Sequence, residues 1–333
     1  MGVRVPFWPD AVCPTVAPPQ RGAKRGAVLK LAVAKRLQAT PWGFESLSGQ
    51  RTAARSHQIE FLVIYRSSRP FERPATRRSL ANDLRSIGIA QGDVLMVHAA
   101  VRKLGPVLGG VTTLVQALLD AVGDRGTLVA YVDWEPGFDP YAVDEALADD
   151  VPIFDKHIAR AAREYGILPE VIRTWPGAVR SDNPDAGIAA IGARAEWLCQ
   201  DHAFSYGYGR GSPYAKLVEI GAKVIVLGAP LETITLLHHA ETVARLTAKR
   251  VKRYSRKLLI NGEACWVDIE EFESSEPVVD GMPADHFSQI ASVALKAGAG
   301  RYGRVAAADS YLFDSPALHR VAVRWLEEWQ RDR

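Results

Sequence analysis

Val224-Ile-Val-Leu-Gly-Ala-Pro-Leu-Glu-Thr-Ile-Thr-Leu-Leu-His-His-Ala-Glu241 is the stretch whose reading decides the fold. Its first four residues are apolar and mostly β-branched, and Gly228-Ala-Pro230 closes them, which predicts a short buried strand. Thr233 or Thr235 can cap the helix that follows. Leu237, Ala240 and Ala244 recur at intervals of three and four, the spacing of one helical face. His238 and Glu241 stand three apart, so both reach one face of that helix. A buried strand feeding a helix is where open α/β sheets meet ligand, and an imidazole there is placed to act as a base. A single histidine near a helix start is more often structural, so the role needs support from the rest of the chain. A metal shared by His238 and Glu241 would want a third protein ligand, and no ligand cluster lies nearby; no metal is expected.

Outward from this stretch the pattern stays α/β. Thr76 to Ile87 reads as a helix with Leu80, Leu84 and Ile87 on one face and Gly88 as its stop. Val94 to Val101 is a continuous apolar run broken only by His98, the signature of a strand buried on both faces. The loop Arg102 to Gly110 is glycine-rich and carries two positive charges, and Thr112 or Thr113 can cap a helix reaching Val122. Strand, basic loop and helix start together make an anion site. The loop matches neither GxGxxG nor GxxxxGK[ST]. Gly126 to Val132 is a second buried strand, and it leads into an acidic, aromatic segment, Asp133 to Asp155, with Glu135, Asp144, Glu145, Asp149 and Asp150. The later acids read equally well as a solvated charge run. Asp133 and Glu135, beside a strand end, read as functional.

Further along, Arg180 to Pro184 is a turn by composition and Gly187 to Gly192 a third strand. Ser212 caps and Pro213 opens a helix to Ile220. Asn261-Gly262 joins Arg256–Ile260 to Cys265–Ile269 as a hairpin with a type I′ turn, and Glu270 and Glu271 follow it. Asp285 to Ala297 is helical, two short strands follow at 304–308 and 311–313, and Ser315-Pro316 opens the last helix.

Charge divides the chain. Residues 1–75 hold twelve Lys/Arg against four Asp/Glu, while the rest holds 29 basic and 34 acidic residues. The basic balance therefore belongs to the first segment, and the body is acidic, which suits cationic substrates and argues against nucleic acid. Residues 1–70, with Pro6, Pro9, Pro14, Pro18 and Pro19, read as a basic, disordered leader or a start set too far upstream. Only Ile59 to Tyr65 there has strand character. Cys13, Cys199 and Cys265 are odd in number and far apart, the pattern of reduced thiols in a cytoplasmic protein. No apolar run reaches 18 residues, so no membrane span is expected.

Gly92-Asp-Val-Leu-Met-Val-His-Ala-Ala-Val101, Gly123 to Tyr131, Arg180-Ser-Asp-Asn-Pro184, Gly211-Ser-Pro213, Leu227-Gly-Ala-Pro230 and Thr235-Leu-Leu-His-His-Ala-Glu241, taken in that order, resemble the aminoglycoside 3-N-acetyltransferase family, the antibiotic N-acetyltransferases. The resemblance covers Thr76 to Gln330, so a domain over 76–330 is expected. It implies an α/β fold with a mixed, mostly parallel central sheet, helices on both faces and a small β-hairpin extension. It implies acetyl-CoA as donor and the 3-amino group of 2-deoxystreptamine antibiotics as acceptor, hence resistance. By the Leu-His-x-Ala-Glu match the catalytic histidine falls on His238, and the carboxylate that orients it on Glu271, with Glu270 and Glu241 as rivals. The backbone of His98, Ala99, Ala100 and Val101, with Lys103, is expected against the pantetheine arm, and Ser212 near the phosphate end. Asp133, Glu135, Asp182, Asn183, Glu232 and Glu241 are expected to hold the antibiotic. Asn183 stands where many members have His, and Ala99 where many have Ser. The protein is expected as a monomer or homodimer.

The chemistry asks for such a pair. An ammonium cannot attack a thioester, so a base must take its proton as the new bond forms. A carboxylate on the far ring nitrogen fixes the tautomer and steadies the imidazolium. A serine hydrolase would need a GxSxG elbow, which the chain lacks. A nucleotide-binding module would leave the His–Glu pair without a purpose. The alternative in the same class is an N-acetyltransferase for a different small amine.

Overall fold

The computed structural model describes residues 73–136 and 150–333. In chain order it holds α1 (Arg77–Ser86), β1 (Val94–Ala99), α2 (Gly110–Val122), β2 (Thr127–Tyr131), α3 (Ile167–Arg173), β3 (Val179–Arg180), β4 (Ile188–Gly192) and α4 (Ala195–Cys199). Then come α5 (Pro213–Glu219), β5 (Lys223–Leu227), α6 (Leu236–Val243), β6 (Val251–Ile260), β7 (Glu263–Phe272), α7 (His286–Lys296), β8 (Gly300–Val305), β9 (Ala308–Asp314) and α8 (Ser315–Arg331).

Seven strands form one mixed sheet in the order β3-β4-β2-β1-β5-β9-β8. Its centre, β2-β1-β5, is parallel, and both flanks are antiparallel. Alternation along β1 explains why no residue of its run could be polar before His98. Val94 and Met96 enter the core shared with α4 to α8, and Leu95 and Val97 the core shared with α1, α2 and α3. Helices thus cover both faces, and β6 with β7 stands apart as a two-stranded hairpin.

Local chemistry sets the boundaries. Thr76 and Ser79 cap α1 reciprocally. Asn261 and Gly262 both take positive φ, +52° and +84°, as a type I′ turn requires. Several elements differ from the sequence expectation. β1 stops at Ala99, because Val101–Leu104 winds into a 3-10 turn. α2 starts at Gly110 behind a left-handed Gly109, which puts Thr112 and Thr113 inside the helix rather than at its cap. Thr235 precedes α6 without a capping bond, and a 3-10 turn, Leu231–Thr233, leads into it. The hairpin arms run ten residues each, so Glu270 and Glu271 lie within β7 and not beyond it. The expected strand at Ile59 to Tyr65 and the acids Asp144, Glu145 and Asp149 fall outside the described residues. No helix among the described residues is long and apolar enough to cross a membrane.

Candidate active site

β5 ends at Leu227, and Gly228 turns the chain with φ +64° so tightly that a Cβ there would meet the Lys103 side chain at 2.6 Å. The turn delivers α6 to the carboxyl ends of the parallel strands. On α6, His238 and Glu241 meet one helical step apart: Nδ1 lies 2.8 Å from Glu241 Oε2. The Nδ1–H therefore donates to the carboxylate, and Nε2 is left as the ring's basic nitrogen. The His238 side chain keeps 19 % of its surface open, against 4 % for Glu241. Tyr208 and Phe287 pack on the imidazole with ring centroids at 4.9 and 4.8 Å. Glu241 is buried, and its second oxygen, Oε1, lies 2.8 Å from His286 Nε2. Burial pushes the Glu241 carboxyl up, but the hydrogen bonds and charges of His238 and His286 outweigh it, and the net direction is down.

Glu271 is elsewhere. Its carboxylate accepts the Gly207 N–H at 2.5 Å and the Phe272 N–H at 2.8 Å. The expected His238–Glu271 contact is replaced by His238–Glu241, because Glu271 on β7 points at the 204–209 loop while Glu241 shares a helix with the imidazole. Burial lifts the Glu271 carboxyl to about 7, against the pull of its two backbone N–H donors. Glu270 takes the Tyr206 hydroxyl and Arg253. The two glutamates thus stitch the loop carrying Tyr208 to the hairpin. The carbonyl side of Gly207 is held as well, by His202 Nε2 at 2.8 Å.

A cavity of about 210 Å³ opens at the ends of β1 and β2, lined by His98, Ala99, Ala100, Tyr131, Leu168 and Pro169 among others. It adjoins the imidazole through two phenols. Tyr131 lies in its wall, Tyr208 donates to the Tyr131 hydroxyl at 3.2 Å, and Tyr208 packs on His238. Its walls are largely apolar and narrow, and Arg102 and Lys103 follow, exposed, on the 3-10 turn. A slot of this kind could hold a slender, largely apolar ligand segment. Burial drives the His98 imidazole down to about 4, so it is neutral.

The expected ligand contacts divide. Asp133, at the end of β2, is half-buried. Its carboxyl is lifted well above the usual range by burial and then by the charge of Asp185, with Arg256 opposing. Asp185 is held by Arg256 and by the Tyr254 hydroxyl at 2.9 Å. Glu135 and Glu232 are exposed, and Glu135 accepts the Arg163 N–H. Asp182 pairs with Lys156 at 2.8 Å on the rim of a larger cavity of about 980 Å³ that also holds Asp155, Asp201 and Asp268. That cavity has neither His238 nor Glu241 in its wall, so its size does not locate the chemistry. Two expectations are corrected. Asn183 is buried, with its amide bonded to Ala203 O, Phe204 O and the N–H groups of Asp185 and Ala186, so it clamps loops rather than facing substrate. Ser212 is buried too, and its hydroxyl caps α5 through the Ala215 N–H. Tyr208, His286, Asp185 and Arg256 went unread in the sequence, since they stand far from α6 along the chain and belong to no local motif.

Residues 96–327 match the family model described as aminoglycoside 3-N-acetyltransferase. The aminoglycoside N(3)-acetyltransferase III of Pseudomonas aeruginosa is 43% identical over 76% of this chain and 94% of its own. The chain belongs to the aminoglycoside 3-N-acetyltransferase family. Solved structures of that family share its fold. AAC-IIIb in a binary complex with CoASH superposes with a TM-score of 0.75 at 47% identity, covering 77% of this chain and 97% of that one. AAC-VIa bound to sisomicin, from a room-temperature neutron/X-ray structure, gives 0.73 at 35%, covering 77% and 99%. As a member of an aminoglycoside 3-N-acetyltransferase family, this protein is a transferase.

Proposed function

We propose that this protein moves the acetyl group of acetyl-CoA to the 3-amino group of 2-deoxystreptamine aminoglycosides, with His238 as general base and Glu241 as its partner. The observation that carries the reading is the His238–Glu241 contact, buried on its carboxylate side and open on the imidazole side. AAC-IIIb with CoASH and AAC-VIa with sisomicin support the two substrates. The coenzyme supplies an activated acetyl thioester. The cavity between β1 and Tyr131 receives its arm, with Lys103 and Arg102 toward the phosphates. As the amine nitrogen bonds to the acetyl carbon it becomes acidic, and His238 Nε2 takes the proton. The Nδ1–H stays on Glu241, which steadies the imidazolium that forms. The carbon–sulfur bond breaks, the leaving thiolate takes the proton from the His238 imidazolium, and coenzyme A departs as the thiol with the base restored.

The acidic residues just past the ends of β2 and β5, Asp133, Glu135 and Glu232, receive the ammonium groups of the antibiotic. Release of coenzyme A thiol, followed against a panel of aminoglycosides and simple amines, tests the reading. Turnover confined to 2-deoxystreptamine compounds supports it. Equal or better turnover of a simple amine makes this an acetyltransferase of another substrate class.

A further inference from the structure

We propose that His286 is a positioning residue for the transfer: with both ring nitrogens protonated it occupies the far oxygen of Glu241 and sets how strongly that carboxylate favours a proton on His238. The inference rests on the reading of His238 as base. His286 Nδ1 lies 2.9 Å from the carbonyl oxygen of Pro283. A carbonyl only accepts, so Nδ1 carries a hydrogen. Nε2 lies 2.8 Å from Glu241 Oε1, and an ionised carboxylate also only accepts. One proton must therefore lie in the Nε2–Oε1 contact. In this proposal it sits on the ring, since Glu241 already accepts the His238 N–H at its other oxygen, as an ionised carboxylate does.

The pair is enclosed, with Glu241 3 % and His286 6 % exposed, and together the two groups carry no net charge. His286 opens α7, where the helix dipole disfavours a cation, so the carboxylate and not the helix holds the charge. Other described residues face the pair as well. Lys249, whose Nζ donates to Thr242 O and lies over the Phe272 ring, adds a partly buried positive charge felt by Glu241. Phe287 packs on both imidazoles and Tyr208 on His238, and Asp285 precedes His286 on the exposed side. His238 thus leans on a carboxylate already neutralised from behind. Without that neutralisation, Glu241 would hold the proton on His238 harder, and the free base would exist only at higher pH.

His286→Gln keeps an N–H near Oε1 and removes the charge. The acid limb of kcat/KM, measured by coenzyme A release, should move up by about half to one pH unit, with the thermal midpoint little changed. His286→Leu, which leaves Oε1 without a donor, should lower the midpoint, so a purely structural role is told apart. Nitrogen-15 NMR of the imidazoles in the wild-type protein, at the pH of maximal kcat/KM, should show a hydrogen on both His286 nitrogens, as their two acceptor contacts require. An acid limb unmoved in His286→Gln, or one bare His286 nitrogen at that pH, overturns the proposal. Full turnover in His238→Ala overturns the base assignment and the coupling with it, whereas collapse of His238→Ala beside an unmoved His286→Gln profile removes the coupling alone.

Discussion

At the scale of the residue, the site turns on which nitrogen of His238 is free. Glu241 takes Nδ1, and in the proposed mechanism that contact leaves Nε2 as the base with a fixed tautomer. His238→Ala should therefore lower kcat by roughly 10²- to 10⁴-fold, the span of a lost general base, with folding retained by circular dichroism. His239→Ala is the control. Its imidazole is buried, donates to Tyr208 O at 2.7 Å and stacks on His319, so its loss should lower the thermal midpoint more than turnover. If His239→Ala abolishes turnover while His238→Ala keeps it, the helix must be read one residue out of register. Glu271 behaves oppositely to Glu241. Its folded carboxyl titrates near 7, above its ordinary value of 4.5, so the folded state binds that proton more tightly than the unfolded chain. Its contribution is whole at acid pH and is lost as pH rises toward about 7. Glu271→Gln should flatten the fall of thermal midpoint across that window; a slope equal to the wild type would show that Glu271 does not titrate there. The sequence made His238 legible because its motif is local. It could not choose among Glu241, Glu270 and Glu271, because the choice depends on where β7 faces, and strand position alone does not say which neighbour a side chain reaches.

At the scale of the element, periodicity carried most of the fold. The runs at Val94, Thr127 and Lys223 are buried on both faces and read as strands for that reason. The Asn261-Gly262 turn fixed the hairpin register, but the arms extend past their apolar cores into charged residues, Lys252 opposite Glu271 and Arg253 opposite Glu270. Ladder bonds and cross-strand ion pairs hold those ends, and hydropathy does not reveal either. The short α4 was equally hidden, since five residues give too little periodicity to read. Ser212 shows how one signal can support two roles. Its capping of α5 was legible, and the structure buries the residue and uses its hydroxyl oxygen as that cap. Ser212→Ala should cost about 0.5–2 kcal/mol in denaturant unfolding and leave KM for acetyl-CoA unchanged. A KM that rises several-fold without loss of stability would return Ser212 to the coenzyme.

At the scale of the whole molecule, charge divides the chain near residue 75, and the family match lies wholly beyond that point. The twelve basic and four acidic residues before Thr76 contrast with an acidic body. The Pseudomonas relative matches 76% of this chain yet 94% of its own length, and the family match begins at Met96. We therefore expect residues 1–72 to be dispensable for folding and transfer. The boundary is set by contacts. Ala75 donates to Pro106 O, and its own carbonyl accepts from Leu108 N–H. Thr76 then caps α1 reciprocally with Ser79. A chain beginning at Arg73 keeps all of these, and its kcat/KM and thermal midpoint should equal those of the full chain. A chain beginning at Ser79 loses the Ala75 bridge and the cap, and it should be less stable by about 1–3 kcal/mol, the sum of a lost cap and its adjoining hydrogen bonds. Equal stability of the two shortened chains would show that the edge at Ala75 contributes nothing. A large loss of turnover on removal of residues 1–72 alone would make the basic segment part of the enzyme.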